Sequence, residues 1–165
     1  MKSKYFGYTL RGAGTPYQQW ILSELPIVAS GVYTSSSTTE VAAAGTIPMQ
    51  CIVLNQVGGR VNANGSISLP QGLYKVEYSG ILSTAAASPV KIDLMSGNTA
   101  ISEVQAYTAT NAAGAFTATI TGTAIVKSPG GCIGTTLSVV NNSAVSVTPV
   151  AVGLETFQIV ITRLC

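Results

Sequence analysis

The side chains that could carry out chemistry in this 165-residue chain are few and scattered. Six carboxylates occur, and no two of them are close in the sequence: Glu24, Glu40, Glu77, Asp93, Glu103 and Glu155. A glycosidase needs two paired carboxylates, usually in a cleft that carries aromatic side chains, and the sequence offers neither pattern. The acid spacing of a calcium-binding loop is absent as well. We therefore predict no catalytic residue and no metal ligand among these acids.

Histidine is absent from the sequence, which excludes His-based triads, Cys–His dyads and His metal sites. No glycine loop with the lysine that binds phosphate occurs either, so no cofactor is predicted. The three cysteines, Cys51, Cys132 and Cys165, are interpreted as free thiols of a reducing compartment, two of them packed in strands. Cys165 or Cys51 is also a candidate for a cross-link to a neighbouring subunit. We expect a protein that is not an enzyme.

The composition excludes further classes of partner. Eight basic and six acidic residues give a net charge of +2, which argues against nucleic-acid binding. Charged residues make up 8% of the chain, against ~25% in ordinary soluble domains, so we expect another subunit to cover much of the surface. We predict no signal peptide, because Arg11 interrupts the short apolar run at the start. No membrane contact is expected, because Glu24 and Pro26 interrupt the apolar stretch 20–32.

The first 45 residues differ from the rest of the chain. They contain six of the eleven aromatic residues, show no sustained periodicity, and end in a run of small residues over 35–45 that is typical of a linker. One interpretation is a docking arm that threads along a partner, and the other is an extra strand and loop packed on the protein's own body. The docking residues of the first interpretation are Tyr5, Phe6, Tyr8, Arg11, Tyr17, Trp20, Leu25 and Pro26.

From residue 46 to residue 165 the sequence is typical of short strands separated by turns. Apolar and polar residues alternate over 73–82, 90–94, 116–121 and 157–162. Asn64-Gly65 is a strong hairpin signal, and Pro129-Gly130-Gly131 ends another run. About eight strands without a helix predict an all-β, antiparallel sandwich.

Two segments of this body resemble a known family. The stretch from Asn64 to Tyr78 contains Pro-x-Gly-Leu-Tyr at 70–74 followed by an alternating strand, and it resembles a signature of the C1q/TNF-like jelly rolls. The segments 134–142 and 157–164 resemble the last strands of the bacterial branch that includes the exosporium glycoprotein BclA. The resemblance implies a jelly-roll domain over 46–165 that forms a homotrimer. Residues that it places in the core or at the trimer axis are Tyr74, Tyr78, Phe116 and Phe157.

The start of the chain resembles another class of protein. Residues 8–15, with Leu25-Pro26, are similar to the capsid-docking starts of phage head-fibre proteins. Together the resemblances imply a structural protein: a trimeric fibre head or decoration knob, attached through residues 1–45 to a capsid or other particle-surface protein of a virion or a spore. Two alternatives stay open. One is a self-polymerising appendage in which one subunit's arm adds a strand to the next subunit. The other is a module that binds a glycan or host surface, with Tyr107 as the candidate contact.

Overall fold

The computed structural model describes residues 29–111, 114–129 and 134–164, and within these ranges every regular element is a β-strand. The prediction of an all-β protein is confirmed. The thirteen strands are β1 (Ala29–Ser35), β2 (Thr46–Ile47), β3 (Cys51–Asn55), β4 (Arg60–Val61), β5 (Ile67–Leu69), β6 (Gly72–Thr84), β7 (Pro89–Ser96), β8 (Thr99–Tyr107), β9 (Ala109–Thr110), β10 (Phe116–Ser128), β11 (Thr135–Asn141), β12 (Thr148–Val150) and β13 (Phe157–Arg163).

These strands form two antiparallel sheets that enclose one apolar core. The seven-stranded sheet has the order β3-β1-β13-β6-β10-β9. Its seventh strand, β12, pairs with residues 81–83 near the end of β6. The six-stranded sheet has the order β4-β5-β11-β7-β8, and β2 pairs with β11. Neighbours in each sheet are mostly distant in sequence, which is the crossover pattern of a jelly-roll sandwich.

The alternating segments explain which side chains fill the core. On β6, Tyr74, Val76 and Tyr78 point inward and are buried, whereas Lys75 and Glu77 point outward and form an ion pair at 2.9 Å. Because successive side chains of a strand face opposite sides, every second residue of β6 contributes to the core. The same alternation buries residues 157, 159 and 161 of β13.

The hairpin signal at Asn64-Gly65 marks the turn between β4 and β5, as predicted. Gly65 adopts a φ of +79°, a conformation that costs glycine nothing. The Asn64 side-chain oxygen accepts a hydrogen bond from the Ser66 amide at 3.1 Å, which is the geometry of an Asx turn.

The sandwich begins ahead of the boundary that the composition suggested. Strand β1 pairs with β13 on one side and β3 on the other, and its Tyr33 is completely buried. Val41 also exchanges two backbone hydrogen bonds with Val147. Residues 29–45 are thus not part of an extended arm. The second interpretation, a strand and loop packed on the body, describes them, and the docking-arm hypothesis now concerns residues 1–28, which lie outside the described ranges.

The strand register gives the sandwich two distinct ends. At the end that we call proximal, Ala29 of β1 lies opposite Arg163 of β13, so the chain enters and leaves the sandwich there. At the other end, which we call distal, Phe157 lies opposite Gly80 and Thr148 opposite Ser83. The loops that follow β6, β8 and β12 are therefore all at the distal end.

Candidate interaction surfaces

No group of three or more His, Cys, Asp or Glu side chains that could hold a metal ion occurs among residues 29–111, 114–129 and 134–164. The same ranges contain no helix long and apolar enough to cross a membrane. The candidate functional features of the described residues are the surfaces of the sandwich and the aromatic side chains singled out in the sequence.

Tyr78 and Phe157 lie in the core, where their rings stack at a centroid distance of 6.3 Å. The Tyr78 hydroxyl shares a hydrogen bond of 3.2 Å with the Ser102 hydroxyl of β8, and this bond connects the two sheets. Burial raises the pKa of Tyr78 above its usual value, although the Ser102 hydrogen bond acts against that shift and the nearby Asp93 adds to it. These side chains hold the sandwich together and are not available to a partner.

Tyr74 and Tyr33 are also buried, and each hydroxyl fixes a loop at the proximal end. The Tyr74 hydroxyl donates to the Pro70 carbonyl at 2.9 Å, and the Tyr33 hydroxyl donates to the Asn55 side-chain oxygen at 3.0 Å. Burial raises the pKa of both phenols, against the lowering effect of Arg163 at Tyr74 and of the Gly59 backbone at Tyr33. Phe116, the fourth predicted packing residue, is only half-buried at the start of β10.

The outward side of the seven-stranded sheet carries few charges. On β10 the outward positions are four threonines, an isoleucine and, at the proximal end, a lysine: Thr117, Thr119, Thr121, Thr123, Ile125 and Lys127. Two strands away from β10, Val160 of β13 lies opposite Val32 on one side and Glu77 on the other. The charges of Glu77 and Lys75 on this side neutralise each other. We call this surface the threonine face, and such a surface suits contact with another protein subunit.

Strand β3 is an apolar strand that the sandwich leaves uncovered. All five of its residues are exposed, and Ile52, Val53 and Leu54 are 46%, 62% and 40% accessible. Cys51, at the start of this strand, is a free and exposed thiol. Cys51 therefore lies in a strand but is not one of the two thiols expected to be packed, and it is accessible for the proposed cross-link. Cys165, like the eight proposed docking residues, lies outside the described ranges.

Among the described residues, the distal end carries the two most exposed large apolar side chains. Tyr107, at the end of β8, is 78% accessible, and Leu154 is 91% accessible on the turn between β12 and β13. A hydrogen bond of 2.8 Å from the Val152 amide to the Glu155 carbonyl closes that turn. Beside it, a shallow pocket of about 330 Å³ opens between Ile81, Thr119 and Val152. Tyr107 was a candidate ligand contact from sequence, whereas nothing in the sequence had indicated Leu154.

The proximal end has a different character. A pocket of about 460 Å³ is lined by Lys127, Arg163 and Leu73, together with Gln71, Gly72 and Ser128. The Arg163 guanidinium donates to the Gln71 carbonyl at 3.0 Å, which holds its charge beside the point where the chain enters β1. The proximal end is thus basic, and the distal end is apolar.

Comparison with known proteins shows the fold alone. No family model and no curated protein matches the sequence. The Eiger TNF of S. frugiperda has a similar structure, with a TM-score of 0.56 and 12% identity over 85% of this chain and 94% of that chain. Murine APRIL gives a TM-score of 0.53 and 10% identity over 84% of this chain and all of the other. PRD1 vertex protein P5 gives a TM-score of 0.48 and 13% identity over 84% of this chain and 96% of that chain. The chain has a TNF/C1q-like jelly-roll fold, as predicted.

Proposed function

We propose that this chain is a structural protein without enzymatic activity, a trimeric fibre head or decoration knob that residues 1–28 attach to the surface of a virion. A spore surface is the alternative particle, and only the resemblance of residues 134–142 and 157–164 to the BclA-like branch favours it. The observation that carries the proposal is the polarity of the sandwich: the chain enters at a basic proximal end, opposite an apolar distal end.

This polarity suits a knob that is held at one end and exposed at the other. The 28 residues ahead of β1 can span at most about 100 Å when fully extended, so they can reach well beyond the sandwich. They contain five aromatic residues, which supply contact area at a low cost in conformational entropy. Lys127 and Arg163 at the proximal end, with Lys2, Lys4 and Arg11 in the segment, favour a capsid surface that carries acidic groups.

The threonine face supports self-association of three copies. Its outward threonines have no charge to desolvate, and their methyl groups add apolar area when another subunit covers them. A trimer also presents three N-terminal segments to one symmetric platform, so weak individual contacts gain avidity. The homotrimer implied by the family resemblance is thus consistent with the surface that this chain exposes.

A binding role for the distal end is the second candidate, and the exposure of Tyr107 favours it. Tyrosine is enriched where proteins bind each other, and its ring can also stack on a sugar. In this candidate function the knob remains a trimer, while Tyr107 contacts a host surface or a glycan. Replacing Tyr107 with alanine is then expected to abolish adhesion and leave the trimer intact. Unchanged adhesion in that variant would remove Tyr107 from the candidate site.

Two variants test the main proposal. Deletion of residues 1–28 is expected to give a soluble trimer that no longer attaches to particles, and retained attachment would contradict the docking role. Thr121→Lys places a charge in the middle of the threonine face and is expected to give a monomer. Thr99→Lys is the matched control, because Thr99 is an exposed strand threonine of the other sheet and its replacement should leave the trimer unchanged. Loss of the trimer in both variants would indicate a nonspecific effect of the added charge.

A further inference from the structure

Strand β3 combines an apolar sequence with exposed side chains at all five positions, and it lies at the edge of the seven-stranded sheet. The strand reads Cys-Ile-Val-Leu-Asn, and its three central side chains are between 40% and 62% accessible. Single exposed apolar residues are common on protein surfaces, but an uninterrupted apolar strand at a sheet edge is a hazard for aggregation. Such a strand needs a cover in the functional protein.

The exposure of β3 is not caused by a loose attachment to the sheet. The Gln50 amide donates to the Thr34 carbonyl at 2.9 Å, and the Gln56 amide donates to the Ser30 carbonyl at 2.8 Å. The side-chain oxygens of the same two glutamines accept hydrogen bonds from Ser36 and Ser30. The strand is therefore held to β1 just beyond both of its ends, and its apolar side chains are presented in a fixed arrangement.

The local geometry decides what kind of contact this edge can make. Between Cys51 and Asn55 there is no proline and no charged residue, so two of the usual devices that keep a second subunit away are missing. The register with β1 shifts between the pairs Val32–Leu54 and Tyr33–Ile52, which leaves Val53 as the extra residue of a bulge. A bulge interrupts the ladder that an added strand would need. Packing of side chains is thus favoured over addition of a strand.

We propose that β3 belongs to the contact between copies of this chain and that its apolar side chains pack against a neighbouring protomer. The inference rests on the self-association argued above. Leu54 lies opposite Val32, and Val32 lies opposite Val160, so one row of aliphatic side chains joins β3 to the threonine face. A second copy is the occupant because the patch continues that face without a charge that would select a charged partner.

A charge placed in the bulge tests this inference. Val53→Lys in the full chain is expected to reduce the particle mass measured by light scattering to one third of the wild-type value. Val152→Lys is the matched control, because Val152 is 64% accessible and Val53 is 62% accessible, and it is expected to remain a trimer. If the wild type and the Val53→Lys variant are both trimers, the proposed role of β3 is overturned, while the proposed trimer stands. A monomeric wild type overturns the proposed function itself.

The Cys51 thiol gives a second measurement that leaves the β3 patch unchanged. In a chain with Cys132→Ser and Cys165→Ser, the reaction of Cys51 with the neutral reagent N-ethylmaleimide is followed by mass spectrometry. We expect a reaction at least tenfold slower in the trimer than in the same chain carrying Thr121→Lys. That substitution is separated from Cys51 by three intervening strands, so it should not alter the thiol directly. Equal rates in a trimer and a monomer would overturn the contact at β3.

Discussion

Gly122 of β10 lies directly opposite Tyr78 of β6, and a methyl group on Gly122 would overlap the Tyr78 ring. Gly80 has the same relationship with Phe157 of β13. Each aromatic ring thus lies over the backbone of a glycine in the next strand, which allows the rings of Tyr78 and Phe157 to stack inside the sandwich. The arrangement binds β6 to both of its main neighbours.

Gly122→Ala is expected to lower the free energy of unfolding by about 1–3 kcal/mol, the range for overpacking a tight core. The physical reason is that the buried Tyr78 ring has to move before the new methyl group fits. Urea unfolding followed by circular dichroism measures the effect. Thr99→Ala, at an exposed strand position of the other sheet, is the control and should change stability much less. An equal effect of both variants would contradict this account.

The hydrogen bond between Tyr78 and Ser102 is expected to contribute about 0.5–1.5 kcal/mol to stability, because it lies between the two sheets. Tyr78→Phe and Ser102→Ala each remove it while the ring stays in place. In a double-mutant cycle the two effects should be less than additive, since either change alone breaks the bond. Additive effects would show that the two hydroxyls act independently.

The buried tyrosines predict a loss of stability at alkaline pH. The pKa values of Tyr33, Tyr74 and Tyr78 are raised in the folded protein, mainly by burial. The unfolded chain therefore loses these phenolic protons first. The free energy of unfolding is fully retained below about pH 10 and falls as the pH rises through the folded pKa values. Urea midpoints measured between about pH 8 and about pH 11 should show this decline. A flat profile would contradict it.

Asn142 is the hydrogen-bond partner of a buried carboxylate. Its side-chain amide donates to Asp93 at 2.8 Å, while the other Asp93 oxygen is buried without a partner among the described residues. Asn142→Ala is expected to cost about 1–3 kcal/mol, because a buried charged acceptor then loses its donor. Thermal unfolding measures the change. In an Asp93→Ala background the same substitution should have little effect, and an undiminished effect there would refute the pairing.

Several parts of the fold could be predicted because the physics behind them is local. The alternation in 73–82 and 157–162 follows from one face being buried, and the Asn64-Gly65 turn follows from glycine's access to positive φ. Strand β1 could not be predicted in the same way. Its buried residues include Gly31, Thr34 and Ser35, so no apolar period marks the face that packs inward.

The exposed surfaces were the least predictable part. The apolar run that contains β3 has the composition of a buried strand, and only the tertiary structure shows that the sandwich leaves it uncovered. Asn141 is the opposite case. The sequence Asn141-Asn142-Ser143 matches the N-glycosylation pattern, which is typical of an exposed loop. Its side chain is completely buried and donates to the Val41, Ala42 and Val145 carbonyls, so it fixes the loop instead. Burial of such positions depends on residues that are distant in sequence.

The measurement that tests the central claim most directly is the mass of the full chain in solution, determined by sedimentation equilibrium over a range of concentrations. The account predicts a single species of three chains, held together by the threonine face. A monomer at every concentration would contradict the trimeric head and, with it, the avidity by which the N-terminal segments are proposed to attach the knob to its particle.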